Sequence, residues 1–472
     1  MRNDSRHSVI YLVNDYLSTS LAWLLFNIVR YNTLDPVNSY TSLGNFLKSP
    51  FVLIGQLVIP LMMMGFYWLS GYYNKTFVKS RIESVMTTLG STLLGTVIIY
   101  FIAIIDDPIP DRYSNYELVI ILEGLLLSIV GLTRIIITNR FISLRSQRKI
   151  WLNVAVIGTA ETIEDCARRL NTKNPALGLK VVAAIPVDSV KEEVLPDLEI
   201  LSLDSLAADS DRLGIDEFIL ALPMSHSEME RMTLLRKLYP LNRPILQPAW
   251  IASGLNMRSR ISNVAGEPLT DISSAVISES TRNMKRTFDV IVSTIVLILL
   301  LPVFAIIAIC VKLNSHGPVF FSQERVGRHG RRFKIHKFRT MITDAEPDGP
   351  ALSRPDDCRI TGFGRTLRKY RLDELPQFWN VLKGEMSIVG PRPEREFYED
   401  KIIAKAPEYT LLHQLRPGIT SWGMVKYGYA SDVDAMISRM RYDIIYIENV
   451  SIAIDLKILL YTINTVITGK GI

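Results

Sequence analysis

Apolar residues gather into blocks along this chain instead of spreading through it. Four blocks, 9–29, 51–71, 84–105 and 118–138, each run for roughly 20 residues, the length a helix needs to cross a ~30 Å hydrocarbon layer at ~1.5 Å per residue. The pattern predicts four membrane helices. Their flanks are asymmetric. Arg2 and Arg6 precede the first block, Lys75, Lys79 and Arg81 follow the second, and Arg140, Arg145, Arg148 and Lys149 follow the fourth. The other side carries Lys48 and Arg112, with Arg30 at its border, and an acidic loop holding Asp106, Asp107 and Asp111. Because basic flanks stay in the cytoplasm, both ends of the bundle are expected there.

Between 151 and 255 the period changes. Asn153–Gly158, Lys180–Pro186 and Asp216–Pro223 read as short buried strands, and the helix expected after the first places Ile163, Cys166, Ala167 and Leu170 on one face. Strands alternating with helices predict a small parallel α/β sheet. The first strand ends in Gly158-Thr-Ala-Glu-Thr-Ile, which has only the first glycine of a G-x-G-x-x-G turn, and Glu161 stands where a pyrophosphate would approach. A packing or regulatory module is therefore expected, not a nucleotide site. Residues 256–284 are polar and unperiodic and read as a linker.

A fifth apolar block, 288–313, is long enough to cross, but Pro302 removes a helical donor and disfavours helix at Leu301. Each half is too short to span alone. Lys285 and Arg286 stand before the block, and Lys312 with a strongly basic segment follows, so both ends favour the cytoplasm. These points predict a re-entrant helix–break–helix, with its break at Leu301-Pro302. Beyond it, Phe333–Phe338 alternates like a strand, Val326–Gly330 reads as a turn, and the chain from about 396 onward is mostly helical.

Composition narrows the class. A hydrophobic share of 48%, a mean hydropathy of +0.20, a net charge of +6 and a pI near 9.0 suit a basic membrane protein facing anionic headgroups or substrates. Cys166, Cys310 and Cys358 are too scattered for a disulfide framework or a zinc site and indicate a reducing compartment. No cleavable leader is expected. The chemistry concentrates at Asp373-Glu374. From Gln323 to Arg371, 13 Lys and Arg face 6 Asp and Glu, a cationic setting that suits a diphosphate with a divalent ion, since Mg²⁺ takes one or two carboxylates plus water and phosphate oxygens. The plainer readings are a solvated charge pair or headgroup binding. Pro376 places Asp373 near a helix start. Asp432-Val-Asp434 is similar to the metal-binding D-x-D of nucleotide-sugar glycosyltransferases, but capping of a helix by Asp432 explains it better.

The last 190 residues, from Lys285-Arg-Thr-Phe-Asp289 through Gly317–Gly327, Lys337-Phe-Arg-Thr-Met341, Leu372–Gly384, Val389-Gly-Pro-Arg-Pro393 and Leu415–Thr420, resemble the monotopic polyprenyl-phosphate phosphoglycosyl transferases. The upstream plan resembles the large members of that family. The resemblance implies a membrane protein with an α-helical N-terminal bundle (1–145), a Rossmann-like α/β module (146–255), a linker (256–284) and an α+β catalytic domain (285–472) with a re-entrant helix. It implies that Asp373 attacks the β-phosphorus of a UDP-sugar, expels UMP, and passes the sugar phosphate to undecaprenyl phosphate. Glu374 joins it in holding Mg²⁺. Lys337, Arg339, Arg368, Arg392 and Asp443 fall on substrate-contact positions. Further implications are a hexose such as glucose or galactose, a homodimer among membrane lipids, no nucleic acid, and a catalytic domain on the cytoplasmic face of the bacterial inner membrane. Two departures stand out: Ser421 and Met424 replace the family's usual Gly and Gln, and Leu301 replaces a Ser before the helix-breaking proline. The rival readings are a catalytically silent nucleotide-binding scaffold, and a direct glycosyltransferase releasing UDP.

Overall fold

The computed structural model describes residues 2–472 except 34–39, 106–111, 174–176, 189–197, 224, 252–268, 274, 276, 344, 347–348, 353–356 and 470–472. The acidic loop at 106–111 and most of the expected linker thus lie outside the described residues. The chain divides into two compact units. The first comprises Met1–Trp151, Asn174–Leu179 and Ser278–Met284. It contains α1 (Arg2–Thr33), α2 (Leu43–Leu47), α3 (Pro50–Leu69), α4 (Arg81–Ile99) and α5 (Arg112–Ser146). Among the described residues, four stretches, His7–Thr33, Pro50–Leu69, Arg81–Ile104 and Asn115–Ser146, are long and apolar enough to cross a membrane. Trp23, Phe26, Met63, Tyr67 and Leu122 fill the bundle's interior, while Phe51, Ile82, Ile102 and Ile120 face outward. Apolar residues on both faces mark helices solvated by lipid, and this is a membrane protein. Inside the bundle, Arg134 grips Asp15 through Nε (2.9 Å) and Nη2 (2.6 Å), and the Tyr73 hydroxyl donates to the same carboxylate at 2.9 Å. These two charges survive there because each neutralises the other.

The second unit joins the α/β module to the C-terminal segment. Its sheet contains β1 (Leu152–Gly158), β2 (Leu179–Pro186), β3 (Glu199–Ile200), β4 (Glu217–Ala221), β5 (Ile245–Pro248) and β6 (Leu269–Asp271), in the order β3-β2-β1-β4-β5-β6. Helices α6 (Ala160–Arg168), α7 (Leu206–Arg212) and α8 (Glu228–Leu238) connect the strands. β4 runs parallel to β1 and β5, whereas β6 pairs antiparallel with β5. Gly158 is required by close approach, because a Cβ there would lie 2.6 Å from the Ala221 carbonyl oxygen. Thr159 then caps α6, and Glu161 occupies its first turn. Where the sequence predicts an irregular linker up to 284, Leu269–Asp271 forms β6 and a helix begins at Glu279. A three-residue strand is too short to display a period.

The broken apolar block forms α9 (Glu279–Leu299) and α10 (Leu301–Asn314), bent by 61°. The break falls at Leu300, one residue before the expected Leu301-Pro302 site. Leu301 is helical and Pro302 sits in the first turn of α10, where its missing N–H would have had no partner. By length and composition the pair is either a broken span or a re-entrant loop. The start of α9 is tied to the C-terminal segment by its own motif residues. Lys285 pairs with Asp455 (2.5 Å), Arg286 donates to the carbonyls of Val381 (2.7 Å) and Leu382 (2.9 Å), and Asp289 accepts the Ile388 N–H (3.0 Å).

Candidate active site

A hairpin, a helix and a tight turn build the site. Strands β7 (Phe320–Val326) and β8 (Arg332–Phe338) pair antiparallel and bring Lys337 to the end of β8. Helix α11 (Gly362–Lys369), capped by Thr361, carries Arg368, whose Nε donates to Thr340 Oγ1 at 2.9 Å. Gly364 lets α11 press on the chain after β8, since a Cβ there would meet the Thr340 carbonyl oxygen at 2.2 Å. Arg371 then adopts the left-handed conformation (φ 54°) and turns the backbone sharply into the single 3₁₀ turn Leu372–Glu374. Helix α12 (Gln377–Lys383) starts only after Pro376, so Asp373 lies in this separate turn and not at the helix start. Beyond it, β9 (Ser387–Val389) and the short parallel β10 (Gly418–Thr420) present the Pro391-Arg392-Pro393 loop. The segment is completed by α13 (Glu396–Lys405), α14 (Trp422–Lys426), α15 (Val433–Glu448) and α16 (Ile452–Thr468).

The two adjacent carboxylates have opposite surroundings. Both are 7% exposed. Glu374 is held by Lys337 Nζ at 2.9 Å, Arg371 Nε at 3.4 Å and Arg392 Nη1 at 3.8 Å. Burial alone would raise its pKa, but those three cations together hold it well below the usual carboxylate range. Among the described residues, no hydrogen bond or ion pair reaches the Asp373 carboxylate. Burial pushes its pKa up, against the pull of Lys337, and the neighbouring Glu374 charge adds to the rise. Lys337 is itself lowered by burial, in spite of both carboxylates. The turn thus separates one neutralised carboxylate from one that is open to react.

Other expected residues take varied places. Arg392 is raised, its desolvation outweighed by Glu374 and Glu394. The Asp443 carboxylate on α15 accepts the Gly423 N–H at 2.8 Å and the Arg392 N–H at 3.5 Å. Burial lifts its pKa to about 6. Arg339 donates to the carbonyls of Ser315 (2.7 Å) and His316 (2.8 Å), clasping the turn after α10. Arg371 was not singled out in the sequence, although its position two residues before Asp373 is a signal once the turn is known. Asp432 caps α15 by accepting the Ala435 N–H at 2.8 Å, as expected. Ser421 caps α14 in extended backbone (φ −140°), accepting the Met424 N–H at 3.0 Å, so this position has no need of glycine. Gly423 does have that need: a Cβ would lie 2.8 Å from the Arg439 side chain. No group of three or more metal-type side chains occurs among the described residues. A hard dication needs fewer, and an unbonded carboxylate beside a second one is a fitting oxygen donor set.

Residues 280–469 match the model of the bacterial sugar transferase family. The chain is 43% identical over 188 residues to a UDP-N-acetylgalactosamine-undecaprenyl-phosphate N-acetylgalactosaminephosphotransferase of Aeromonas hydrophila, a match covering 40% of this chain and 44% of that one. A UDP-glucose:undecaprenyl-phosphate glucose-1-phosphate transferase of Klebsiella pneumoniae is 32% identical over 62% of this chain and 63% of its own. A protein of the same description from Caulobacter vibrioides is 41% identical, and the match spans 70% of its length and 39% of this chain. The chain belongs to the bacterial sugar transferase family. The family region begins at the first turn of α9 and includes the bent helix pair, the carboxylate turn and the Pro-Arg-Pro loop. The four helices and the sheet precede it. The chain spans 44% and 63% of the Aeromonas and Klebsiella relatives, less than two thirds of either.

Proposed function

We propose that the protein is a phosphoglycosyl transferase that moves a hexose 1-phosphate from a UDP-sugar to undecaprenyl phosphate and releases UMP, at the start of polysaccharide assembly. The observation that carries this reading is the buried, unbonded Asp373 carboxylate beside a Glu374 held by Lys337, Arg371 and Arg392. In the first step an Asp373 oxygen bonds to the β-phosphorus as the bond from that phosphorus to the bridging oxygen breaks, and UMP leaves with that oxygen. A phosphate oxygen of the carrier lipid then attacks the same phosphorus and frees the carboxylate. A two-step exchange lets two phosphate substrates use one site in turn. The cations offset the repulsion between a carboxylate and a diphosphate. Asp373 and Glu374 are the residues that would hold Mg²⁺, which supplies further neutralisation of the phosphates.

The relatives' names support the substrate class, and they name more than one sugar, so glucose and N-acetylgalactosamine both belong in the first trial. We read α9–α10 as re-entrant, with the catalytic segment on the cytoplasmic face of the inner membrane. The preceding sheet is read as a Rossmann-like module in a homodimeric protein.

Asp373→Asn tests the reaction. Turnover, followed as UMP release from UDP-glucose and UDP-N-acetylgalactosamine with undecaprenyl phosphate, should fall by at least about a thousandfold. Parental activity in that variant, or UDP as the product, would end the proposal.

A further inference from the structure

We propose that the basic end of the helical unit holds a binding site for the phosphate of an anionic lipid headgroup, anchored by Arg145. Arg145 lies in the last turn of α5, at the end of the apolar stretch Asn115–Ser146, and is only 6% exposed. Among the described residues its guanidinium has no hydrogen bond or ion pair, and its Nε is sealed from solvent without a partner. Arg134 on the same helix is also buried, but Asp15 neutralises it. Among the described residues, no such carboxylate serves Arg145. It is flanked by the Phe77 ring, 5.6 Å from its guanidinium carbon, and by Gly178, where a Cβ would meet its Cδ at 2.9 Å. Buried Lys79 stands in the same neighbourhood, 5.7 Å from the Tyr11 ring, and donates to the Tyr72 carbonyl.

Removing an uncompensated guanidinium from water is costly, and an aromatic face recovers only part of that cost. A residue that merely marked the cytoplasmic side could remain in water, as exposed Arg140 does one and a half turns earlier. An arriving anion resolves the imbalance, and the planar fork of arginine suits a phosphate. The source is set by position. Arg140 and Arg145 on this end of α5, and Arg148 and Lys149 just beyond it, stand where a helix leaving the membrane meets the headgroups.

The test uses the full chain in nanodiscs of phosphatidylcholine, alone or with phosphatidylglycerol, and in detergent with inorganic phosphate. Melting temperature is read for the parent, Arg145→Met and Arg140→Gln. Phosphatidylglycerol should raise the melting temperature of the parent and of Arg140→Gln equally. In Arg145→Met the rise should vanish, or need at least about tenfold more phosphatidylglycerol for half effect. In phosphatidylcholine alone Arg145→Met should be no less stable than the parent, because methionine removes the buried charge. If methionine prevents folding, Arg145→Lys should fold and respond only partly. An equal response in Arg145→Met and the parent would overturn the site. So would an equal loss of stability in both lipids, which marks a purely structural arginine. A shift reproduced by inorganic phosphate would overturn the lipid as its source.

Discussion

Two carboxylates one residue apart differ because the Arg371 turn aims them differently. Glu374 faces three cations and stays ionised; among the described residues Asp373 faces none closely enough to bond. The adjacent pair was legible in the sequence, but the division of labour was not, since Lys337, Arg371 and Arg392 come from three separate segments. Asp443 shows the same dependence. Its sequence position suggested contact with substrate, and in the fold its carboxylate ties Gly423 to the Arg392 backbone. Its pKa, lifted by burial from 3.8 to about 6, gives paired expectations. Between those values the native carboxyl binds more proton than the unfolded one, so its contribution to stability is full below 3.8 and lost as pH rises through about 6. Activity should run the other way, since only the carboxylate accepts both N–H groups well. UMP release should therefore show an acid limb near pH 6. Asp443→Asn should be slow throughout and lack that limb; a limb preserved in the variant would assign it to another group.

At the scale of elements, length decided what could be read. The membrane stretches, β8 and the first strand of the sheet repeat their period often enough to be recognised. Strand β6 and the 3₁₀ turn of Leu372–Glu374 are three residues each, too short for any period. The proline marked the helix break, but backbone geometry moved it to Leu300, because proline is tolerated in a first turn. The Asp432-Val-Asp434 motif belongs at this scale too. With Asp432 capping α15, Asp432→Ala should lower the melting temperature slightly and leave the nucleotide product and turnover unchanged. A collapse of turnover at native-like stability would restore the metal-site reading.

For the whole molecule, the proposed cytoplasmic placement of the catalytic segment can be checked with a native residue. Exposed Cys358 lies beyond the bent helix pair. A membrane-impermeant maleimide should leave it unmodified in intact cells and modify it once the membrane is opened, with buried Cys166 as the internal reference. Efficient labelling in intact cells would mean that α9–α10 crosses fully. The sequence by itself determined four lipid-length helices, an alternating α/β segment, a broken apolar block and a cation-rich stretch around Asp373-Glu374. Each is a local property of composition or period. Only the tertiary structure decided that Glu374 is neutralised and Asp373 left open, that Asp443 and Arg339 hold backbone, and that Arg145 is buried with no counter-charge among the described residues. Those outcomes depend on residues far apart in the chain arriving at one place, and local patterns do not record distance in space.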